Sequence, residues 1–470
     1  MRSAKIVVTL GPACSSVEIL GQLLTAGMDV ARLNMSHADY DSHRQELENL
    51  HAACVATGKC ASAFIDLQGP KIRLGTFGDG PVTLVAGARF TITTRDVVGD
   101  ATICSTTFAG LPGDVTPGDD VLIDDGKIAL KAKTVSDTDV ECEVVTGGQV
   151  SDHKGINLPG VAVSVPALSD KDEQDLRWGL EQGIDMVALS FVRSALDIVP
   201  VHAIMDEMGV RVPVIAKIEK PQALDNLDAI IDAFDAFMVA RGDLGVELPF
   251  EDVPLAQKRI IHAARTWAKP VIVATQMLES MISAPRPTRA EASDVAHAVM
   301  DGADAVMLSG ETSVGQYPVE AVSAMARIIG AVEENGFGEI EQIQWDPHTT
   351  SGVVTWGAAE IARHLDVRYI VGFSLKGDTA RRLARLRTRI PILCFTPREK
   401  TKRELGLVWG LTTFVSRSHD TETMIEEMDQ VLVSQGLIDV GQSVVVIYGT
   451  PMGLPGKTNT VYVHKVLPPK

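Results

Sequence analysis

Two stretches decide the fold: Ala216-Lys-Ile-Glu-Lys-Pro-Gln-Ala-Leu-Asp225 and Met238-Val-Ala-Arg-Gly-Asp-Leu-Gly-Val-Glu247. Each is the tail of a short apolar run that breaks abruptly into charge. The first ends in Lys217 and Glu219, the second in Arg241, Gly242 and Asp243. Unbroken apolar runs mark strands buried on both faces, which is the habit of a parallel sheet covered by helices. Working outward, further runs lie at Lys5–Leu10, Asp29–Asn34, Ala63–Gln68, Met186–Phe191, Pro270–Gln276 and Ala305–Gly310. With Pro213–Glu219 and Ala236–Arg241 they make eight. Helical patterns fall between most of them, at Ser15–Ala26, Ser169–Glu181, Pro221–Phe234, Pro254–Trp267 and Arg289–Met300, with Ser169 and Asp172 spaced as a capping pair. Eight strand–helix units predict a (β/α)8 TIM barrel.

One interval breaks the rhythm. From Pro70 to Pro166 no helical period appears. Short alternating segments (Ala88–Thr93, Asp120–Ile123, Ala129–Val135, Val140–Thr146) are separated by turn signals such as Asp125-Gly126. This predicts a small all-β domain inserted at residues 70–166 into a barrel of residues 1–69 and 167–336. A new βα alternation predicts a C-terminal α/β domain over 337–470. It has helices at Ser351–Leu365 and Thr379–Thr388 and strands at Tyr369–Ser374, Ile392–Thr396, Ser443–Tyr448 and Val461–Val466.

At 470 residues the chain is long enough for several cores. Apolar residues are 45% and charged residues 22%, a soluble globular balance. The formal charge of −18 argues against a nucleic-acid or anionic-membrane partner, since both repel an acidic chain. Anionic small substrates need only a local basic pocket. The six cysteines form no Cys-x-x-Cys pair, pointing to a reducing compartment rather than a disulfide framework. With no signal-peptide pattern and no membrane-length apolar run, a cytoplasmic location is expected.

Catalytic groups of such barrels sit at the carboxyl ends of the strands. Here those ends read Ala31-Arg-Leu-Asn-Met-Ser-His37, Asp66-Leu-Gln-Gly-Pro-Lys-Ile-Arg73, Ser190-Phe-Val-Arg193, Lys217-Ile-Glu219, Arg241-Gly-Asp243, Thr275-Gln-Met-Leu-Glu279 and Ser309-Gly-Glu-Thr312. Each charge alone has an ordinary explanation: a solvated strand end, a surface histidine, a carboxylate at a helix start. Together they converge on one face. Lys217 and Glu219 are two apart on one strand and point to the same side. Asp243 on the next strand can complete a carboxylate pair with Glu219. Two carboxylates plus water and phosphate oxygens suit Mg2+, or Mn2+. An adjacent ammonium suits phosphoryl transfer, where the protein supplies electrostatic stabilisation. Gly242 would let an anion approach the backbone N–H groups of the Arg-Gly-Asp turn.

These strand ends apart from Ser190–Arg193, with Thr9-Leu-Gly-Pro-Ala13 and Lys154-Gly-Ile-Asn-Leu-Pro-Gly160, resemble in order the motifs of the pyruvate kinase family. The resemblance implies phosphoryl transfer from phosphoenolpyruvate to ADP, giving pyruvate and ATP. It also implies a homotetramer. Carried over, Glu219 and Asp243 bind the divalent ion, and Lys217 stabilises the transferring group and the enolate. Arg32 clamps the phosphoryl group with help from Arg73. Thr275 contacts substrate and, with Ser309 and Glu311, belongs to the proton relay. Ala240, Gly242 and Asp243 seat the substrate carboxylate. Asn34, His37, Arg73 and Lys154 follow the nucleotide phosphates. The barrel of residues 1–69 and 167–336 is then the catalytic one, and the insertion is a β-barrel lid that closes and excludes water.

The chain departs from the potassium-dependent pattern of the family, which has Glu in Gly-Pro-Glu-Ile-Arg and Thr after the third-strand Asp. It carries Lys71 and Leu67 instead. It thereby resembles a K+-independent subgroup, with the ligands Asn34, Ser36 and Asp66 left vacant and the Lys71 ammonium supplying the charge. In the third domain, Ser374, Lys376, Gly377 and Thr379 resemble an effector phosphate loop, weakened by Asp378. The segment Gly449–Asn459 offers Lys457 as its sole cation, so a sugar monophosphate, or no sugar-phosphate effector, fits as well as a bisphosphate. Arg381, Arg382, Arg385, Arg387 and Arg389 read as a phosphate-binding face or as a solvated or interface-pairing one. Two other functions remain open from sequence. One is a metal-dependent carbon–carbon lyase acting through pyruvate enolate. The other is a non-catalytic metabolite sensor, which would be expected to have lost a metal ligand or Lys217.

Overall fold

A computed structural model describes residues 2–161, 163–343, 349–418, 420–451 and 456–468. Eight parallel strands close into a barrel in chain order: Lys5–Thr9, Val30–Asn34, Ser62–Asp66, Met186–Leu189, Val214–Ile218, Ala236–Ala240, Val271–Ala274 and Ala305–Leu308. All eight expected runs are present, each within two residues of its expected bounds.

The two faces of these strands bury different clusters. Val7, Val30, Phe64, Met186, Ile215, Met238, Ile272 and Met307 fill the barrel interior, and Leu407 from the C-terminal segment joins them. The alternate residues, among them Ile6, Val8, Leu33, Ile65, Val239 and Val273, pack under the surrounding helices. Side chains two apart share a face. Arg32, Asp66, Ser190, Lys217 and Ser309 therefore continue the interior rows of their own strands beyond the last apolar layer.

Local chemistry sets the helix starts. Ser169 and Asp172 form a reciprocal capping box before Asp170–Gln182, as their spacing predicts. Thr288 and Glu291 do the same before Arg289–Met300. The stretch Pro221–Phe234, expected as one helix, is two: Pro221–Asp225 and Leu227–Ala233. The break is at Asn226, whose backbone leaves the helical region (φ −100°, ψ 15°) and whose amide donates to the Arg193 carbonyl.

Between the third and fourth barrel strands, the chain forms a six-stranded sheet and a separate two-stranded one. Phe90, Ile92, Val121, Leu130 and Val144 are in its own core. Among the described residues the outer strands Ile103–Ser105 and Ile156–Asn157 of that sheet do not pair with each other; residues 72–75 lie between them, with Leu74 N–H donating to the Lys154 carbonyl and Gly75 N–H to the Ser105 carbonyl. A short helix, Leu111–Asp114, also interrupts the all-β run.

The C-terminal sheet runs Leu411–Val415, Ile392–Thr396, Ile370–Phe373, Ser443–Gly449 and Thr458–Lys465. Only the last strand is antiparallel. Separate apolar clusters cover its two faces. The helix expected over Thr379–Thr388 is Asp378–Ala384. It stops because Arg387 turns left-handed (φ 48°) and enters the junction with the barrel.

There Arg387 pairs with Asp304 at 3.0 Å, donates to the Gly302 carbonyl at 2.7 Å and lies over the Trp409 ring. Arg385 donates to the Thr266 carbonyl at 3.0 Å. Both are buried. Neither the phosphate-binding nor the solvated reading of these two arginines holds; they join domains within one chain. No helix among the described residues is long and apolar enough to cross a membrane.

Candidate active site

At the carboxyl end of the barrel the interior rows end in a chain of buried charges. Lys217 Nζ lies 3.1 Å from Asp66 Oδ1 and 3.0 Å from Glu219 Oε1, and donates to Ser190 Oγ at 2.7 Å. Arg32 Nε reaches the other oxygen of Asp66 at 2.7 Å, and its Nη1 donates to Thr9 Oγ1. Two cations and two carboxylates thus alternate across the second, third and fifth strands. Burial works against the Lys217 charge, but Asp66 and Glu219 reverse this and hold its pKa above the ordinary lysine range.

Glu219 is the unbalanced member. Burial, and then the nearby Asp243 carboxylate, raise its pKa against the pull of Lys217. Its Oε2 accepts from Phe191 N–H at 2.7 Å. Its Oε1 is buried with no aligned donor, so its contact with Lys217 is ionic rather than directional. A buried carboxylate in excess of its cations, with a second carboxylate beside it and a free oxygen, fits a divalent ion. Among the described residues no group of three or more His, Cys, Asp or Glu side chains could hold a metal without other ligands. A two-carboxylate site would need water and substrate oxygens to complete it.

Across the rim, Thr275 sits at φ 67° and Gln276 at φ 55°. A β-branched residue there is strained by roughly 1–3 kcal/mol. The strain is held by Arg241, which is bidentate to Asp294 (2.6 and 2.7 Å) and donates to the Thr275 carbonyl at 2.8 Å. Gly242 N–H donates to Thr275 Oγ1 at 2.7 Å. The amide expected to face an anion is therefore spent on threonine. Gly242 is needed all the same, because a Cβ there would lie 3.3 Å from Thr275 Oγ1. Ala240 ends the sixth strand, and Asp243 is in the first turn of the following short helix Arg241–Glu247. Ser309 Oγ is buried without a partner. Glu311 is fully buried; its oxygens accept from the Leu278 and Ser309 N–H groups at 3.0 and 2.7 Å. That arrangement fixes the loop after the eighth strand.

A cleft of about 550 Å³ opens between this rim and the insertion. Ser36, His37, Lys71, Arg73, Lys154 and Asp243 line it, as do Arg193 and Lys220, which the sequence reading left unassigned. Burial, then Lys71, Arg32 and Arg73, lower the His37 pKa. Arg73 Nη1 donates to the His153 carbonyl. Lys154 pairs with Asp124 at 2.8 Å, so its charge is held by a carboxylate of the insertion's own hairpin. Asn34 Oδ1 accepts from Ser36 N–H, and Asn34 is in register with Asp66 on the adjacent strand. Asp66, expected only as a monovalent-ion ligand, is the centre of the Arg32–Lys217 network.

In the C-terminal domain a cavity of about 310 Å³ is lined by Ser374, Lys376, Thr379, Lys457 and Tyr448, among others. Gly377 precedes the helix at φ 79°. Thr379 Oγ1 is buried against Thr458 Oγ1 at 2.7 Å, and Asp378 is paired with Arg382. Met452 to Pro455, within the segment Gly449–Asn459, lie outside the described residues.

Residues 1–322 match the family model for the pyruvate kinase barrel domain, and residues 353–464 match that for the pyruvate kinase alpha/beta domain. The chain belongs to the pyruvate kinase family. A protein named pyruvate kinase from Mycobacterium tuberculosis is 53% identical over 466 residues, 99% of this chain and 98% of its own length. One of the same name from Corynebacterium glutamicum is 52% identical over 464 residues, covering 98% of this chain and 97% of its own. A crystal structure of a pyruvate kinase from Cryptosporidium parvum superposes with a TM-score of 0.93 at 35% identity, covering 99% of this chain and 96% of that one. None of these relatives supports the carbon–carbon lyase reading.

Proposed function

We propose that this chain is a pyruvate kinase that transfers the phosphoryl group of phosphoenolpyruvate to ADP, forming pyruvate and ATP. The observation that carries this is the buried Arg32–Asp66–Lys217–Glu219 chain of charge at the carboxyl rim of the barrel, in a member of this family. Arg32 and Arg73 would bind phosphoryl oxygens. Lys217 would neutralise charge as the phosphorus–oxygen bond of phosphoenolpyruvate breaks, and would then face the enolate oxygen left behind. Ala240, Gly242 and Asp243 would seat the substrate carboxylate, the Gly242 N–H exchanging Thr275 Oγ1 for it. Thr275, at the strained rim, would orient the water or hydroxyl that returns a proton to the enolate carbon. Ser309 would lie along that path with its free hydroxyl, while Glu311, saturated by backbone donors, supports it. Asn34, His37, Arg73 and Lys154 would follow the nucleotide phosphates, Lys154 exchanging Asp124 for phosphate.

The family generally uses Mg2+. Glu219 and Asp243 are the residues that would hold it, or Mn2+; when bound it supplies charge neutralisation between phosphate oxygens. We further propose that no K+ is needed. The support is that Asp66 already has both oxygens facing cations and that Lys71 brings a further charge to the same cleft. The division into residues 1–69 with 167–336, 70–166 and 337–470, a cytoplasmic homotetramer, and a sugar-phosphate effector near Ser374, Lys376, Gly377 and Thr379 belong to the same proposal.

Pyruvate formation that depends on both ADP and Mg2+ tests the activity. Pyruvate release without ADP, or substrate binding without turnover, would replace this reading by a lyase or a sensor. Repeating the assay in buffer free of K+ and Na+ tests the second proposal; near-zero activity restored by K+ rejects it. Lys71→Glu is expected to create a K+ requirement.

A further inference from the structure

The inserted segment leaves the barrel at Gly69 and returns at Ser169, and one carboxylate touches both points. Asp172 Oδ1 accepts from Gly69 N–H at 3.0 Å. Its Oδ2 accepts from Ser169 N–H at 2.9 Å and from Ser169 Oγ at 2.6 Å. Asp172 is fully buried. No cation pairs with it among the described residues; three hydrogen-bond donors satisfy it instead, as a buried carboxylate requires.

The exit is seated tightly. Gly69 is at φ 73°, and a Cβ there would come within 2.6 Å of the Phe191 ring. Leu67, just before it, accepts from Ser190 Oγ, the hydroxyl that also accepts from Lys217. The neighbour of Asp172 on the same helical turn reaches the nucleotide side: Lys171 Nζ donates to the Met35 carbonyl at 2.7 Å, one residue from Ser36. Asp175 and Tyr40 hold that lysine in place.

We propose that Asp172 is a positioning residue that locks the two crossings of the insertion together, so that the cleft facing the nucleotide is complete only when both are seated. If Ser169 shifts as the return strand moves, the shared carboxylate must release or drag Gly69, and with it the Ser190 hydroxyl beside Lys217. The role extends the phosphotransfer reading above and rests on it for the identity of the nucleotide.

Asp172→Asn tests this. An amide accepts at one oxygen only, so either the Gly69 N–H or the Ser169 N–H loses its acceptor and the shared hold on the two crossings is broken. Hydrogen exchange of the full-length protein is expected to quicken by about tenfold in residues 67–71 and 163–170 together, with the rest of the barrel unchanged. The KM for ADP should rise about fivefold while the KM for phosphoenolpyruvate stays within about twofold. A lowered melting temperature with an unchanged KM for ADP would mean a merely structural cap and overturn the proposal.

Should D172N not fold, Ser169→Ala keeps the carboxylate and carries the same decision. Faster exchange at both crossings supports the lock; faster exchange confined to 163–170 overturns it. Exchange needs no turnover, so failure of the lock and absence of phosphotransfer are separate results.

Discussion

Replacing Lys217 by Met keeps the length of the side chain and removes its ammonium. That ammonium lies within 3.1 Å of one buried carboxylate and 3.0 Å of another. Asp66 would keep Arg32 as partner, but Glu219 would keep only the Phe191 N–H. Breaking a buried ion pair from one side costs about 3–5 kcal/mol. Glu219 can recover part of this by taking up a proton, at about 1.4 kcal/mol per pKa unit. The net loss of stability should therefore be about 2–4 kcal/mol in metal-free protein, and smaller with Mg2+ present, because the ion supplies the missing charge. The loss of activity should be larger. A single transition-state donor contributes about 10²–10³ in rate, and here the donor carries a full charge. ADP-dependent pyruvate formation should fall by at least about 10³, or about 4 kcal/mol. Thermal unfolding with and without Mg2+ reads the first quantity and a coupled assay the second. Activity within about tenfold of the parent would mean that the ammonium does not face the reacting group, and the assignment of the rim would fail.

Three further outcomes are expected. Gly242→Ala places a methyl 3.3 Å from Thr275 Oγ1; the threonine must move by a few tenths of an ångström, and kcat/KM for phosphoenolpyruvate should fall about tenfold with stability within about 1 kcal/mol. Arg387→Met leaves Asp304 buried without its cation and should cost about 3–5 kcal/mol by denaturant midpoint, with kcat of the folded fraction unchanged. Burial pushes the thiols of Cys14, Cys142 and Cys394 to about 12 and that of Cys104 to about 11. Because these pKa values are raised on folding, their contribution to stability is intact below the ordinary thiol value near 9 and is lost as pH climbs toward 11 and 12. Alkaline unfolding should follow that window, and at pH 8 native protein should expose at most Cys54 and Cys60 to a thiol reagent; rapid reaction of more would contradict it.

The barrel was legible because each strand is a continuous apolar run, a pattern that depends on no partner. The placing of Lys217 beside Glu219 was legible for the same reason, since alternation along one strand decides it. What the sequence hid depends on neighbours. Asp66 becomes the partner of both Arg32 and Lys217 only through the order of strands around the barrel. Lys154 meets Asp124 only once the hairpin of the insertion has folded. Residues 72–75 link the two outer strands of the inserted sheet only through backbone bonds to distant neighbours, residues 105–107 and 153–156. Arg385 and Arg387 carry the charge pattern of a solvated helix, and a single left-handed residue turns them inward. Asp294 and Arg193 had been given no role; Asp294 accepts from the Arg241 guanidinium, and Arg193 donates to the Val163 carbonyl.

Leu407 has a consequence for anyone wishing to work with the catalytic half alone. It belongs to the last third of the polypeptide, yet it is buried in one apolar cluster with Val7, Val30 and Phe64 of the cylinder's interior. Trp409, two residues on, donates its backbone N–H to the Asp304 carboxylate at the foot of the eighth strand. The cylinder is corked from outside its own sequence, and trimming the polypeptide after the eighth repeat would pull the cork and flood an oily interior. The terminal segment thus shares one buried apolar cluster with the strands whose ends carry Arg32, Asp66 and Lys217.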